Sequence, residues 1–317
     1  MVLNYVLILV GFVLLIKGAD FLVNGASGIA KKFHIPEIII GLTIVSVGTS
    51  MPELFVSITS SIEGYKDMAM GNVIGSNVCN LLLILGLSAT IKPIKFKKET
   101  KLIEIPMCLL TSIIFLILCN IGKCISRFDS IILIVLFIAF IGYTIYMSKK
   151  GEEINGIDES DEGTAKKRKT ITNIIYIILG IVALKFGGDF VVNNAEIIAR
   201  HFNISEKIIG LTIIAIGTSL PELVTSVTAA IKGDSDIAIG NIIGSNIFNM
   251  LLIIGVSGLI SPVTYNVTYN LQMAILIVAT IVLAAFPYTD KKDEMTTSNG
   301  ITYLMLYALY MIILFLK

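Results

Sequence analysis

The chain has 317 residues, 55% hydrophobic and only 15% charged, with a formal net charge of +1. A soluble domain carries nearer a quarter charged residues, and a mean hydropathy of +0.88 fits a chain whose solvent is lipid. The near-neutral balance lacks the basic excess that nucleic-acid binding draws on, so no nucleic-acid partner is expected.

Taken in chain order, apolar runs long enough to cross a bilayer are predicted at residues 3–25, 37–62, 68–91, 103–121 and 128–147, and again at 172–194, 206–231, 236–260, 268–287 and 301–316. The fold class is all-α: a polytopic membrane protein of ten transmembrane helices. The first run lacks a small-residue cleavage site and is read as a retained helix rather than a signal. Between the fifth and sixth runs lies KKGEEINGIDESDEGTAKKRK, polar and charged in blocks, which reads as a mobile linker over 148–171. It lacks the ligand spacing of an EF-hand loop. The chain divides into 1–147, the linker 148–171, and 172–317. The four cysteines, Cys79, Cys108, Cys119 and Cys124, show no CxxC spacing and are read as small apolar residues.

The two parts repeat each other. GADFLVNGASGIAKKFHIPEIIIGLTIVSVGTSMPE matches GGDFVVNNAEIIARHFNISEKIIGLTIIAIGTSLPE, and GNVIGSNVCNLLLILG matches GNIIGSNIFNMLLIIG. The offset is a constant 169 residues without a gap, and 43 of the 76 positions from Gly18/Gly187 to Pro93/Pro262 are identical. Duplication follows. Each part holds five spans, an odd number, so the second should enter the membrane from the opposite side, giving inverted repeats. Orientation follows from Lys and Arg. One set of loops carries about 16 of them and the other about 6. The rich side, with the linker, is expected to be cytoplasmic, and both termini extracellular.

The motif GTSMPE (48–53) places a proline and a carboxylate inside an apolar run. Proline removes a backbone donor, so the helix should break there. Oxygens freed at membrane depth need protein, water or a cation to satisfy them. Thr49 and Glu53 are four apart and share a face. The turn therefore gathers a carboxylate, a hydroxyl and carbonyl oxygens, a donor set for hard cations such as Ca2+ or Na+. GTSLPE repeats the spacing with Thr218, Ser219, Pro221 and Glu222, and inversion should bring the two turns face to face. An intramembrane acid duplicated at an inverted position reads as functional. The next helix of each half adds Ser76 with Asn80, and Ser245 with Asn249. Gly71, Gly75, Gly240 and Gly244 form small-xxx-small pairs for close packing. Among Asn72, Asn77, Asn241 and Asn246, some should bond across helices. Thr43, Thr212, Ser57 and Thr59 read as packing or back-bonding groups. Asp20 and Asp189 fall near predicted helix ends, and His34 and His201 in connecting loops; both pairs read as structural.

At these residues the sequence resembles the Ca2+/cation antiporter superfamily, in particular its prokaryotic sodium/calcium exchanger branch, whose paired alpha repeats the GTSxPE and GNxIGSNxxN stretches are similar to. The resemblance implies a central cluster of cation sites. By position, Glu53 and Glu222 would be shared ligands of Ca2+ and Na+. Thr49 and Thr218 would join the Ca2+ site. Ser50, Ser76, Ser219 and Ser245 would serve flanking Na+ sites, with carbonyls of Ser46 and Ala215. Asn80 and Asn249 would complete the ring. It also implies that the first and sixth helices slide against the core. Asn249, where the potassium-dependent branch has Asp, speaks against a K+ requirement. The proton-coupled branch carries GNAxE in place of GTSxPE.

The expected function is Na+/Ca2+ antiport by alternating access, with the ions as cargo, no cofactor and no enzymatic activity. The chain is expected to act as a monomer in the lipid bilayer. The alternatives are an H+/Ca2+ antiporter and a cation channel. Channels more often build filters from rings contributed by several subunits. An intramembrane two-acid hydrolase fits poorly, because hydroxyls and amides surround the acids. No GxxxxGK[ST] loop appears, which argues against an ATP-driven pump.

Overall fold

The computed structural model describes residues 2–64, 66–154, 170–202, 215–289 and 293–316. The helices are α1 Val2–Lys32, α2 Glu37–Thr49, α3 Met51–Glu63, α4 Met68–Ile91, α5 Thr100–Gly122 and α6 Arg127–Ile154. After the linker come α7 Thr170–His201, α8 Ala215–Thr218, α9 Leu220–Lys232, α10 Ser235–Ile260, α11 Tyr269–Thr289 and α12 Thr297–Leu316. Among the described residues, eight helices are long and apolar enough to cross a membrane. The pair α2 and α3, bent by 49°, forms one further broken span. The predicted run at 206–231 falls partly on residues 203–214, outside the described residues. So do Thr212 and most of the linker.

Three helix ends differ from expectation. Helices α1 and α7 run past the apolar stretches, to Lys32 and His201. Nothing in either sequence stops the helix where its apolar stretch ends. Asp20 and Asp189 therefore lie well within helices rather than near their ends. His201 closes α7 instead of sitting in a loop. Likewise α6 continues to Ile154, into the stretch read as linker.

The α1–α7 crossing is set by glycine. A Cβ on Gly11 would stand 2.8 Å from the Gly187 carbonyl, and one on Gly180 would stand 2.6 Å from the Leu22 amide. Gly18 meets Leu184 N at 2.9 Å in the same sense. Backbones this close leave no room for any side chain, and dispersion between them replaces the absent hydrophobic drive of lipid. Helix α10 is enclosed on nearly all sides, with every residue from Asp236 to Leu251 buried. Its Gly240 and Gly244 seat it on α2, each with its Cβ position 2.7 Å from a carbonyl, that of Ile38 or Leu42. By contrast, α5, α6, α11 and α12 turn Ile, Leu, Val and Met outward. Together with the outward Val, Leu and Ile of α1 and α7, they form the lipid-facing surface.

Short strands tie the two parts together at both ends. Strand β1 (Ile94–Lys95) pairs antiparallel with β4 (Glu294–Met295), and β2 (Cys124–Ile125) with β3 (Val263–Thr264). Each pair joins loops assigned to the same side of the membrane by charge. Ion pairs gather at the Lys-rich end: Lys97–Asp236 at 2.5 Å, Lys101–Asp293 at 2.9 Å and Lys232–Asp20 at 2.8 Å. In the loop before α10, burial raises the Asp234 carboxyl above its ordinary value, against the pull of Lys31, Lys232 and Lys92. Here the repeat departs from symmetry. The counterpart of Lys232 is Glu63, and the counterpart of Asp20, Asp189, pairs instead with Lys185 one turn away at 2.8 Å.

Replacing Gly180 with Val should cost about 1–3 kcal/mol of stability by overpacking. The same change at Gly142, whose Cβ position meets nothing within 4 Å, should be near neutral. Thermal unfolding of the detergent-solubilised variants measures the difference.

Candidate functional site

The broken spans begin the site. Ser50 ends α2 with φ −83° and ψ 9°, and Ser219 ends α8 with φ −87° and ψ 7°. One residue out of helical geometry is enough to turn the axis. Pro52 and Pro221 then lie in the first turn of α3 and α9, where the missing N–H has no intrahelical role. That placement puts Glu53 and Glu222 in the first turns of the new helices, where exposed backbone N–H groups favour a carboxylate. Left-handed glycines, Gly64 at φ +85° and Gly233 at φ +90°, close both helices. The break expected from the sequence is present in both copies.

The two turns face each other, and each half supplies the other's hydroxyl. Ser50 Oγ donates to Glu222 Oε1 at 2.7 Å, and Ser219 Oγ to Glu53 Oε1 at 3.4 Å. Ser245 Oγ lies 2.9 Å from Ser50 Oγ, and Ser76 Oγ donates to Glu53 Oε1 at 3.5 Å. Both carboxylates are 1% exposed and close enough to repel each other. Thr49 is buried beside Glu222 and donates to Asn241 Oδ1 at 3.0 Å. The Thr218 hydroxyl is turned toward Glu53. The Ser46 carbonyl accepts the Ser50 N–H at 3.0 Å and the Thr49 hydroxyl at 3.3 Å. Ala215 lies on α8, one turn before Ser219.

Asn80 and Asn249 flank this pair, both buried, at the π-helical turns Cys79–Ile84 and Asn249–Ile253. Such turns, with one extra residue per turn, often mark functional sites. Nothing in the residue pattern announces them. Asn72 and Asn241, polar in the sequence without an evident task, brace the broken helices. Asn72 Nδ2 donates to Ser57 Oγ at 3.0 Å and to the Glu53 carbonyl at 3.2 Å; Asn241 Nδ2 donates to Ser226 Oγ at 2.9 Å. Thr43 back-bonds to the Ile39 carbonyl at 2.6 Å, as its packing reading requires.

Five buried oxygens of this cluster have no hydrogen-bond partner among the described residues: Glu53 Oε2, Glu222 Oε2, Asn80 Oδ1, Asn249 Oδ1 and Thr218 Oγ1. Four are carboxylate or amide acceptors and the fifth is a hydroxyl, and the two acids bring the only formal charge to the set. A buried acceptor without a donor costs about 1–3 kcal/mol, and a charged one more. Oxygen-only acceptors with two negative charges suit a hard cation. Among the described residues no group of three or more His, Cys, Asp or Glu side chains is placed to hold a metal. The chemistry here rests on two acids plus neutral oxygens.

A family described as sodium/calcium exchanger protein matches residues 3–146 and 172–316. The inner membrane protein YrbG of Escherichia coli is 37% identical over 288 residues, covering 90% of this chain and 88% of that protein. The sodium/calcium exchanger MaX1 of Methanosarcina acetivorans is 31% identical over 351 residues, covering 98% of each. Among solved structures, the sodium-calcium exchanger NCX_Mj soaked with zero Na+ and Ca2+ matches with a TM-score of 0.85 and 31% identity over 99% of both chains.

Occupying the unpartnered oxygens with Ca2+ should raise thermal stability. At about 100 times Kd the gain is about 2.7 kcal/mol. Glu53→Gln and Glu222→Gln should each remove most of it. Unfolding temperature against Ca2+ concentration reads this out.

Proposed function

Because this chain belongs to the sodium/calcium exchanger family, we propose that it exchanges Na+ for Ca2+ by alternating access through one shared central site, without requiring K+. It is a multi-pass membrane transporter and not an enzyme, and the ions are its cargo rather than cofactors. The observation that carries the reading is the set of unpartnered buried oxygens around two opposed carboxylates.

Glu53 and Glu222 are the shared ligands of both ions. Thr49 and Thr218 contribute to the Ca2+ site, and the carbonyls of Ser46 and Ala215 to the Na+ sites with Ser50, Ser76, Ser219 and Ser245. Asn80 and Asn249 close the ring. Ca2+ brings two charges to match two carboxylates. Na+ ions occupying the same oxygens neutralise them in turn, so the two cargoes exclude each other. An unloaded site leaves two bare carboxylates in a low-dielectric core, which disfavours the conformational change until a cation binds. This is how exchange avoids becoming a leak. Asn249 contributes an oxygen without a third negative charge, which supports independence from K+.

The architecture in this reading is ten spans in two inverted five-span halves, 1–147 and 172–317. The linker 148–171 is cytoplasmic, both termini are extracellular, and one chain is the working unit. The gap-free 169-residue repeat supports it. So do the reciprocal bonds between halves and the strand pairs that join like-sided loops.

Vesicles loaded with Na+ and diluted into Na+-free, K+-free buffer should take up radiolabelled Ca2+ in the presence of the protein. Glu53→Gln and Glu222→Gln should each reduce uptake to the level of protein-free vesicles. Uptake driven equally by a pH gradient without Na+ would instead assign proton coupling. Flux with no counter-cation would assign a channel.

A further inference from the structure

The amide oxygens of Asn80 and Asn249, proposed above as cation ligands, are not free to choose their direction. An asparagine amide presents an acceptor on one side and a donor on the other, and a half-turn of the side-chain end exchanges them. At a cation site the difference is decisive, since an NH2 pointed at the ion repels it. In this chain a second pair of asparagines, one residue after Ser76 and Ser245, settles the direction. Asn249 Nδ2 donates to Asn77 Oδ1 at 2.9 Å, and Asn80 Nδ2 donates to Asn246 Oδ1 at 3.1 Å. These inner amides are fixed in turn. Asn77 Nδ2 donates to the Asn246 carbonyl at 3.2 Å, and Asn246 Nδ2 to the Asn77 carbonyl at 3.4 Å.

The bonds form a closed, two-fold arrangement. Each inner amide spends its NH2 on the other half's backbone, so its Oδ1 can only accept. Each outer amide must therefore turn its NH2 inward, and its Oδ1 is left facing away. Both of these oxygens lack a hydrogen-bond partner among the described residues. All four residues are 0–1% exposed, so water does not compete for these bonds.

We infer that Asn77 and Asn246 are positioning residues that set the cation affinity of the site by holding the Asn80 and Asn249 amides oxygen-first. The inference rests on the proposed central cation site. The inner asparagines touch no ion; they act through the outer pair. The arrangement also explains why Asn249 is an amide. A carboxylate in its place would set an acceptor against Asn77 Oδ1, where the amide sets a donor.

The test is a double-mutant cycle on KM for Ca2+ and maximal rate in Na+-loaded vesicles. Asn77→Leu removes the acceptor that orients Asn249, and should raise KM about tenfold or more, the scale of losing an outer-shell partner, with a smaller change in maximal rate. A carboxylate in place of the outer amide offers oxygen in either orientation. When combined with Asn77→Leu, Asn249→Asp should therefore restore KM to near the native value. Made alone, Asn249→Asp should raise KM. Coupling of about tenfold or more between the two positions is the expected result, and simple multiplication of the single effects overturns the proposal. The mirrored cycle, Asn246→Leu with Asn80→Asp, reads the same coupling if Asn77→Leu does not fold. Loss of folded protein in both leucine variants, unrelieved by the aspartate partners, assigns these amides to structure alone and also overturns it. Failure of the cation-site reading looks different: Glu53→Gln and Glu222→Gln would then keep native uptake, whatever the asparagines do.

Discussion

Two buried carboxylates face each other across the middle of this molecule, and each accepts a hydroxyl from the other half of the chain. Much of the architecture serves to make that juxtaposition tolerable. The spans that carry Glu53 and Glu222 are broken so that each acid sits in the first turn of a helix rather than in the middle of one. Gly240 and Gly244 let α10 approach α2 closely enough for Ser245 to reach Ser50. Asn72 and Asn241 hold the breaks open by bonding to serines on the following turns. What remains unsatisfied is a set of oxygens, the set assigned to the cation in the proposed exchange.

Much of this was legible in the sequence because duplication puts every important residue on the page twice. The break could be read from proline and glycine in an apolar run. The acids could be read from their cost in lipid, and the facing of the two turns from the duplication and the odd number of spans expected in each half. The Gly240/Gly244 packing could be read from small-residue spacing. Helix length was less legible. Hydropathy reports where lipid ends, and α1 and α7 continue into water, which misplaced Asp20, Asp189 and His201 relative to helix ends.

Other features leave no mark in a single sequence. A π-helical turn at Asn249 depends on packing around it, since the residues themselves are ordinary helix formers. The strand pairs β1–β4 and β2–β3 join segments about 200 and 140 residues apart through two-residue contacts too short to pattern. The direction of an asparagine amide is set by its neighbours in space. The sequence shows six asparagines across the two motifs; only the bonds among them separate the pair proposed to face the cation from the pair that aims it.

The repeat is also not perfectly symmetric. Lys232 anchors α1 through Asp20 at the Lys-rich end, while the corresponding position in the first half is Glu63, which offers Asp189 a like charge.

The account turns on Na+ and Ca2+ competing for the same oxygens. Equilibrium binding of radiolabelled Ca2+ to the purified protein, titrated with Na+ at constant ionic strength, measures that directly. The account predicts complete displacement of Ca2+ by Na+, with a Hill slope above one, and none by K+. Ca2+ that stays bound at saturating Na+, or is displaced equally by K+, would contradict it.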